Sequence, residues 1–149
     1  MKPTIYLTNW SSKRLRGPGT AYTIMARPRT WEHGAGAVRA LVPAHAMLTA
    51  AKAGELGVAA YRADFVAHVR PSALAPGRLE AFDGALHVEV VDGDTLCCAC
   101  SCADAAKGRC HRVWSGELLR RAGWLVVLDG RELVGVDSSW CPVFGREVL

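Results

Sequence analysis

Apolar and polar positions change period several times along this chain, and the changes mark out its elements. Residues 4–8, Thr-Ile-Tyr-Leu-Thr, are a β-branched and aromatic run broken by Asn9 and the pair Ser11-Ser12, a pattern that predicts a buried strand. Gly17-Pro18-Gly19 is a turn signal, and residues 20–26 form a second strand candidate. That strand ends at Arg27-Pro28, because proline restricts its predecessor and cannot extend a central ladder. Gly34 and Gly36 lead into an alanine-rich stretch in which Pro43 opens a helix reaching about residue 53. Over residues 58–69, Val58, Tyr61, Phe65 and Val69 recur at spacings of three and four, which predicts an amphipathic helix stopped by Pro71. His45 and His68 fall on these helices, where a lone histidine needs no chemical role.

Further along, Leu86, Val88 and Val90 alternate with His87, Glu89 and Val91, and Asp92-Gly93 has the composition of a hairpin turn. It leads into Thr95-Leu96-Cys97-Cys98-Ala99-Cys100, an apolar run that reads as a central strand. After an irregular loop, residues 111–122 form a helix with Trp114, Leu118 and Ala122 four apart and Gly123 just past its end. Residues 124–128 read as strand, Asp129-Gly130 as turn and residues 133–136 as a short strand, while residues 137–149 have no clear period. The alternation predicts one Rossmann-like layered α/β domain over residues 1–149, with a mixed, mostly parallel sheet and flanking helices. Residues 27–86 and 110–123 are the stretches able to supply its crossovers.

Composition agrees with a single core. The 149 residues are 50% hydrophobic and 21% charged, ordinary values for a globular domain of common size. The first residues lack the apolar run of a signal peptide and no stretch is long and apolar enough for a membrane span, which predicts a cytosolic protein. A formal net charge of +4 favours anionic partners without marking a nucleic-acid-binding tail. Its placement matters more: Lys13, Arg14 and Arg16 crowd one loop, and Arg27 and Arg29 flank Pro28.

Candidate chemistry centres on cysteine. Of the 6 cysteines, all but Cys141 fall between Cys97 and Cys110, a cluster rather than a spread of disulfide staples. On an extended strand Cys98, Cys100 and Cys102 would share a face, with Cys97 on the other. If the loop of residues 103–109 folds back, Cys110 and His111 join them, with enough ligands for tetrahedral zinc, although the spacing matches no common zinc-finger framework. Buried, unreactive thiols are the plainer alternative. Cys110 differs from the others by standing at a helix start, where unpaired amides and the macrodipole favour negative charge. With Arg109, His111 and Arg112 beside it, it is the best candidate nucleophile, with His111 as its catalytic partner, and should alkylate faster than Cys97 or Cys98. The alternative is that His111 and Arg112 bind a phosphate or carboxylate there without chemistry.

Cys110-His111-Arg112 followed by Glu117-Leu118, with a cysteine-bearing apolar strand before it, resembles the carboxyl-terminal signature of a bacterial and phage family catalogued as domain of unknown function four-eight-eight. The resemblance extends through Ile5-Tyr6, Asn9-Trp10, Ala26-Arg27-Pro28 with Trp31, and residues 61–69, and so covers about residues 4–128. Its specific part is the Cys-His-Arg-x4-Glu spacing. The run from Cys98 to Cys102 departs from the family's usual single cysteine followed by an acidic residue. A second uncharacterised family, with a Cys-x-Cys strand before a Cys-His helix start, is also similar. The resemblance implies a compact Rossmann-like domain and no particular reaction.

The leading functional expectation is a site for a nucleotide or other small anionic ligand at the carboxyl ends of the central strands. Parallel strands would gather Asn9, Ser11, Arg27, Arg29, Cys100 and Cys102 there, facing the helix that carries Cys110, His111, Arg112 and Glu117. Two alternatives stand beside it: non-catalytic nucleic-acid or protein binding through residues 13–16 with Trp10 and Trp31, and a structural zinc site in the cysteine cluster. These residues name no cofactor.

Overall fold

In a computed structural model of the chain, the residues described are 1–9, 19–25, 34–55, 57–98 and 102–148; the side chains of Gly34, Ala35, His45, Leu48, Lys52 and Cys102 lie outside the description. In chain order the strands are β1 (Thr4–Asn9), β2 (Ala21–Thr23), β3 (Gly34–Ala37), β4 (Glu80–Asp83), β5 (Leu86–Glu89), β6 (Thr95–Cys98), β7 (Leu125–Leu128), β8 (Arg131–Val136) and β9 (Pro142–Glu147). The helices are α1 (His45–Lys52), α2 (Val58–His68), α3 (Cys102–Ala106) and α4 (His111–Arg121). The strands form one sheet in the order β5-β4-β3-β2-β6-β1-β7-β8-β9.

The sheet is mixed rather than mostly parallel. β6 and β7 flank β1 in parallel, and β2 is parallel to both β6 and β3. Outside this block every pairing is antiparallel: β3 with β4, β4 with β5, β7 with β8, and β8 with β9. The expected Rossmann-like layering is therefore overturned, and the connections explain why. Among the described residues, only the β6–α4–β7 segment is a strand-helix-strand crossover between parallel strands. The stretch carrying α1 and α2 returns the chain antiparallel, from β3 into β4. The helix packing described also starts on one face of the sheet: α4 lies on β1, β7 and β8, α2 packs on α4, and α1 on α2.

The register shows how that face becomes the core. Leu7 stands beside Leu96 and Leu128, Ile5 beside Val126, and Tyr22 beside Leu96, all at most 2% exposed. Successive strand residues alternate, so the intervening Tyr6, Thr8, Thr23, Thr95 and Cys97 belong to the opposite face. Gly116 allows α4 to approach closely: a Cβ there would meet Leu133 at 3.0 Å and Leu7 at 3.1 Å. Across the helices, Tyr61 and Phe65 of α2 pack on Trp114, with ring centroids 5.3 and 5.8 Å away.

Two Asp-Gly turns behave differently. Asp129-Gly130 closes the β7–β8 hairpin with both residues at positive φ, 51° and 85°, as the favoured two-residue hairpin turn requires. Asp92-Gly93 is not a hairpin turn between β5 and β6, because β5 is the sheet's edge while β6 inserts between β2 and β1. Instead Asp94 is buried and its carboxylate accepts from the Thr20 and Val91 amides, fixing a turn that sends the chain across the sheet. Among the described residues no helix is long and apolar enough to cross a membrane.

Candidate functional site: a thiol and imidazole centre at the strand carboxyl ends

The parallel block ends its strands together, and α4 begins against that edge. Asn9 of β1 is in register with Cys98 of β6, and the Asp129 amide donates to the Leu7 carbonyl across β1 and β7. A short loop delivers Cys110 to the same place. Gly108 in that loop has φ 68°, and a Cβ there would collide with the Trp140 carbonyl, so glycine alone fits without displacement. The Gly108 carbonyl in turn accepts from Trp114 Nε1 at 2.9 Å, tying the loop to the helix it introduces.

Cys110 is the N-cap of α4, and its Sγ accepts the Arg112 amide at 3.3 Å. Cys98 Sγ lies 3.7 Å from Cys110 Sγ. His111 Nε2 is 2.9 Å from the Ile24 carbonyl, which can only accept, so Nε2 carries the proton and a neutral ring keeps its lone pair on Nδ1. Phe65 packs edge-on against the imidazole, with centroids 5.8 Å apart. The ligand atoms offered by Cys98, Cys110 and His111 all lie within 4.8 Å of one another. Beside them Arg112 is fully buried, its guanidinium 3.0 Å from Asp129. Burial raises the Asp129 carboxyl above its ordinary range, with Arg112 opposing the rise.

Burial changes the standing of the thiols. Cys97, Cys98 and Cys110 are 0%, 0% and 1% exposed. Cys110 therefore has no advantage of access over the two strand cysteines, contrary to the sequence expectation. Cys97 is further deactivated: burial first, then its neighbour Cys98, pushes its thiol up to about 12, although Arg112 pulls the other way.

The structure thus brings Asn9, Cys110, His111 and Arg112 to one edge with Cys98, a zinc-ligand candidate of the sequence, and adds Ile24 and Asp129, which the sequence had not singled out. Ser11, Arg27, Arg29 and Cys100 lie outside the described residues, as do residues 13–16, Trp10 and Trp31 of the nucleic-acid alternative. Of the proposed strand of Cys98, Cys100 and Cys102, Cys98 closes the described part of β6 and Cys102 opens α3 instead, while residues 99–101 lie outside the described residues. Glu117 is placed apart, seven residues along α4, about 10 Å from Cys110 by helical rise.

Glu117 serves its own helix. It is 2% exposed and accepts from Arg120 Nε and Arg121 Nε, each at 2.7 Å. Burial would raise its carboxyl, but the hydrogen bonds and charges of the two arginines outweigh this and lower it. A lowered folded pKa contributes stability above the unfolded value of about 4.3 and loses it as pH falls through the folded one. Glu117→Gln should cost about 1–2 kcal/mol at neutral pH, discounted because both arginines are partly solvated. It should also flatten the acid limb of a stability–pH curve measured by urea unfolding.

No protein-family model, curated protein or solved structure matches the chain.

Proposed function

We propose that this chain is a binding domain for a small anionic ligand of the nucleotide class, held at the carboxyl-terminal edge of the parallel block around Cys110-His111-Arg112. One observation carries the reading: residues as distant in sequence as Asn9, Ile24, Cys98, His111 and Asp129 meet where α4 begins. Open α/β sheets bind ligands beyond the carboxyl ends of parallel strands, and a helix start there supplies a favourable field for negative charge. Lys107 and Arg109, on the loop before Cys110, are exposed and basic. His111, only partly buried, offers Nδ1 as an acceptor for a ligand hydroxyl or amino group while Nε2–H stays on the Ile24 carbonyl. Arg112, enclosed and paired with Asp129, holds the edge together from behind. The burial of Cys110 favours binding over nucleophilic chemistry.

Isothermal titration of the purified chain with ADP, AMP and inorganic phosphate tests this. Saturable binding of at least one probe is expected, weakened about threefold to tenfold by His111→Ala, the equivalent of one lost hydrogen bond. Failure of all three probes, or binding indifferent to His111→Ala, would count against the proposal.

A further inference from the structure

We infer that Cys98, Cys110 and His111 form a binding site for a soft divalent metal of the zinc class. This goes beyond the ligand reading: it shares with it the Cys98–Cys110 contact and the His111 bond to Ile24, and it assigns His111 Nδ1 to the metal in place of the ligand. The first is the sulfur separation. Two thiolates bound to one tetrahedral zinc at about 2.3 Å each must lie about 3.8 Å apart, the edge of the tetrahedron. Cys98 and Cys110 are 3.7 Å apart, so the ion fits between them with their spacing unchanged.

The second is the imidazole. A sulfur and a ring nitrogen on one zinc are separated by about 3.6 Å, and all three donor atoms lie within 4.8 Å of one another. The third is the shell behind the donors. Metal-bound histidines commonly donate their second ring N–H to a backbone carbonyl, which sets the tautomer and orientation. His111 does this to Ile24 at 2.9 Å, leaving Nδ1 the lone-pair nitrogen, and Phe65 packs against the ring. Cys110 Sγ likewise accepts the Arg112 amide, the type of N–H···S contact that supports a thiolate.

Charge is balanced as well. Two thiolates, a neutral imidazole and a divalent cation sum to zero, so binding the metal leaves no net charge at the buried sulfurs. Each thiol gives up its proton to solvent as its sulfur bonds the metal, and nothing is oxidised or reduced. The donor set of two sulfurs and a nitrogen selects zinc or cobalt over magnesium or calcium.

The test is metal content together with cobalt spectroscopy on the full chain. Chain purified from zinc-supplemented cells should carry about one ion per molecule. After chelation and addition of cobalt it should show tetrahedral bands with thiolate-to-metal charge transfer. Cys98→Ala and Cys110→Ala should each remove stoichiometric binding, while Cys97→Ala, on the opposite face of β6, should keep it. Should the cysteine variants fail to fold, the cobalt spectrum of the unaltered chain still decides. Absence of uptake of either ion, a cobalt spectrum without thiolate charge transfer, or equal loss from Cys97→Ala and Cys98→Ala would overturn the inference. Repeating the nucleotide titration on metal-free chain separates this outcome from failure of the ligand site.

Discussion

Replacing Trp114 by alanine should destabilise the fold by about 3–5 kcal/mol, the usual range for emptying a fully enclosed tryptophan site. Trp114 is 2% exposed and joins three parts of the molecule. Its ring meets Tyr61 and Phe65 of α2, and its Nε1 donates to Gly108 in the loop that positions Cys110. Phenylalanine would keep most of the packing but abandon the Gly108 carbonyl, so Trp114→Phe should cost less, about 1–3 kcal/mol. Urea denaturation of both variants gives the comparison. Equal costs would mean that the hydrogen bond, not the ring volume, carries the stability.

Arg112→Ala should be similarly severe, about 3–5 kcal/mol, because it removes one member of a buried ion pair and a large enclosed side chain together. Arg112 is 0% exposed, and the side chain of its partner Asp129 only 22%. Arg112 is also what opposes the burial-driven rise of the Asp129 pKa, so without it that carboxyl must rise further. A carboxyl whose folded pKa is raised contributes stability that is present below the unfolded value of about 3.9 and lost as pH rises through the folded value. The variant should therefore fall further below the native protein as pH climbs through that window. Urea midpoints measured from acid to neutral pH would show the gap widening; a constant gap would mean that Asp129 takes no part.

How far the sequence disclosed this arrangement depended on what each segment buries. β1 and β7 were legible because half of β1 and all but one residue of β7 are buried, and such strands are rich in β-branched and apolar residues. β4 and β9 went unread because they lie toward the sheet's flanks, alternate weakly and keep exposed residues such as Glu80, Asp83 and Val143. The parallel count was overestimated for a local reason: helices between strands were taken as crossovers, yet α1 and α2 precede a strand that turns back against β3. The start of α4 was visible in Cys110-His111-Arg112, since capping is a local matter.

What gathers the site is not local. Cys98 reaches Cys110 because β6 runs beside β1 and β2, a pairing between residues some seventy to ninety positions apart. Ile24 enters through its carbonyl, which no side-chain pattern records. Asp129 was legible as a turn residue, but its pairing with Arg112 required knowing that β7 and α4 share an edge. Glu117 shows the converse. Its spacing after Cys-His-Arg suggested a shared site, while the nearer Arg120 and Arg121 claim its carboxylate.

The most direct test of where this domain works is a backbone amide chemical-shift map of the labelled chain titrated with ADP and inorganic phosphate. The largest changes should fall at His111, Arg112 and Val113, with Ile24, Cys98 and Asp129 moving alongside them. Changes confined to the opposite strand ends, around Thr4, Asp92 and Asp94, or no change with either probe, would contradict a ligand site at the carboxyl-terminal edge.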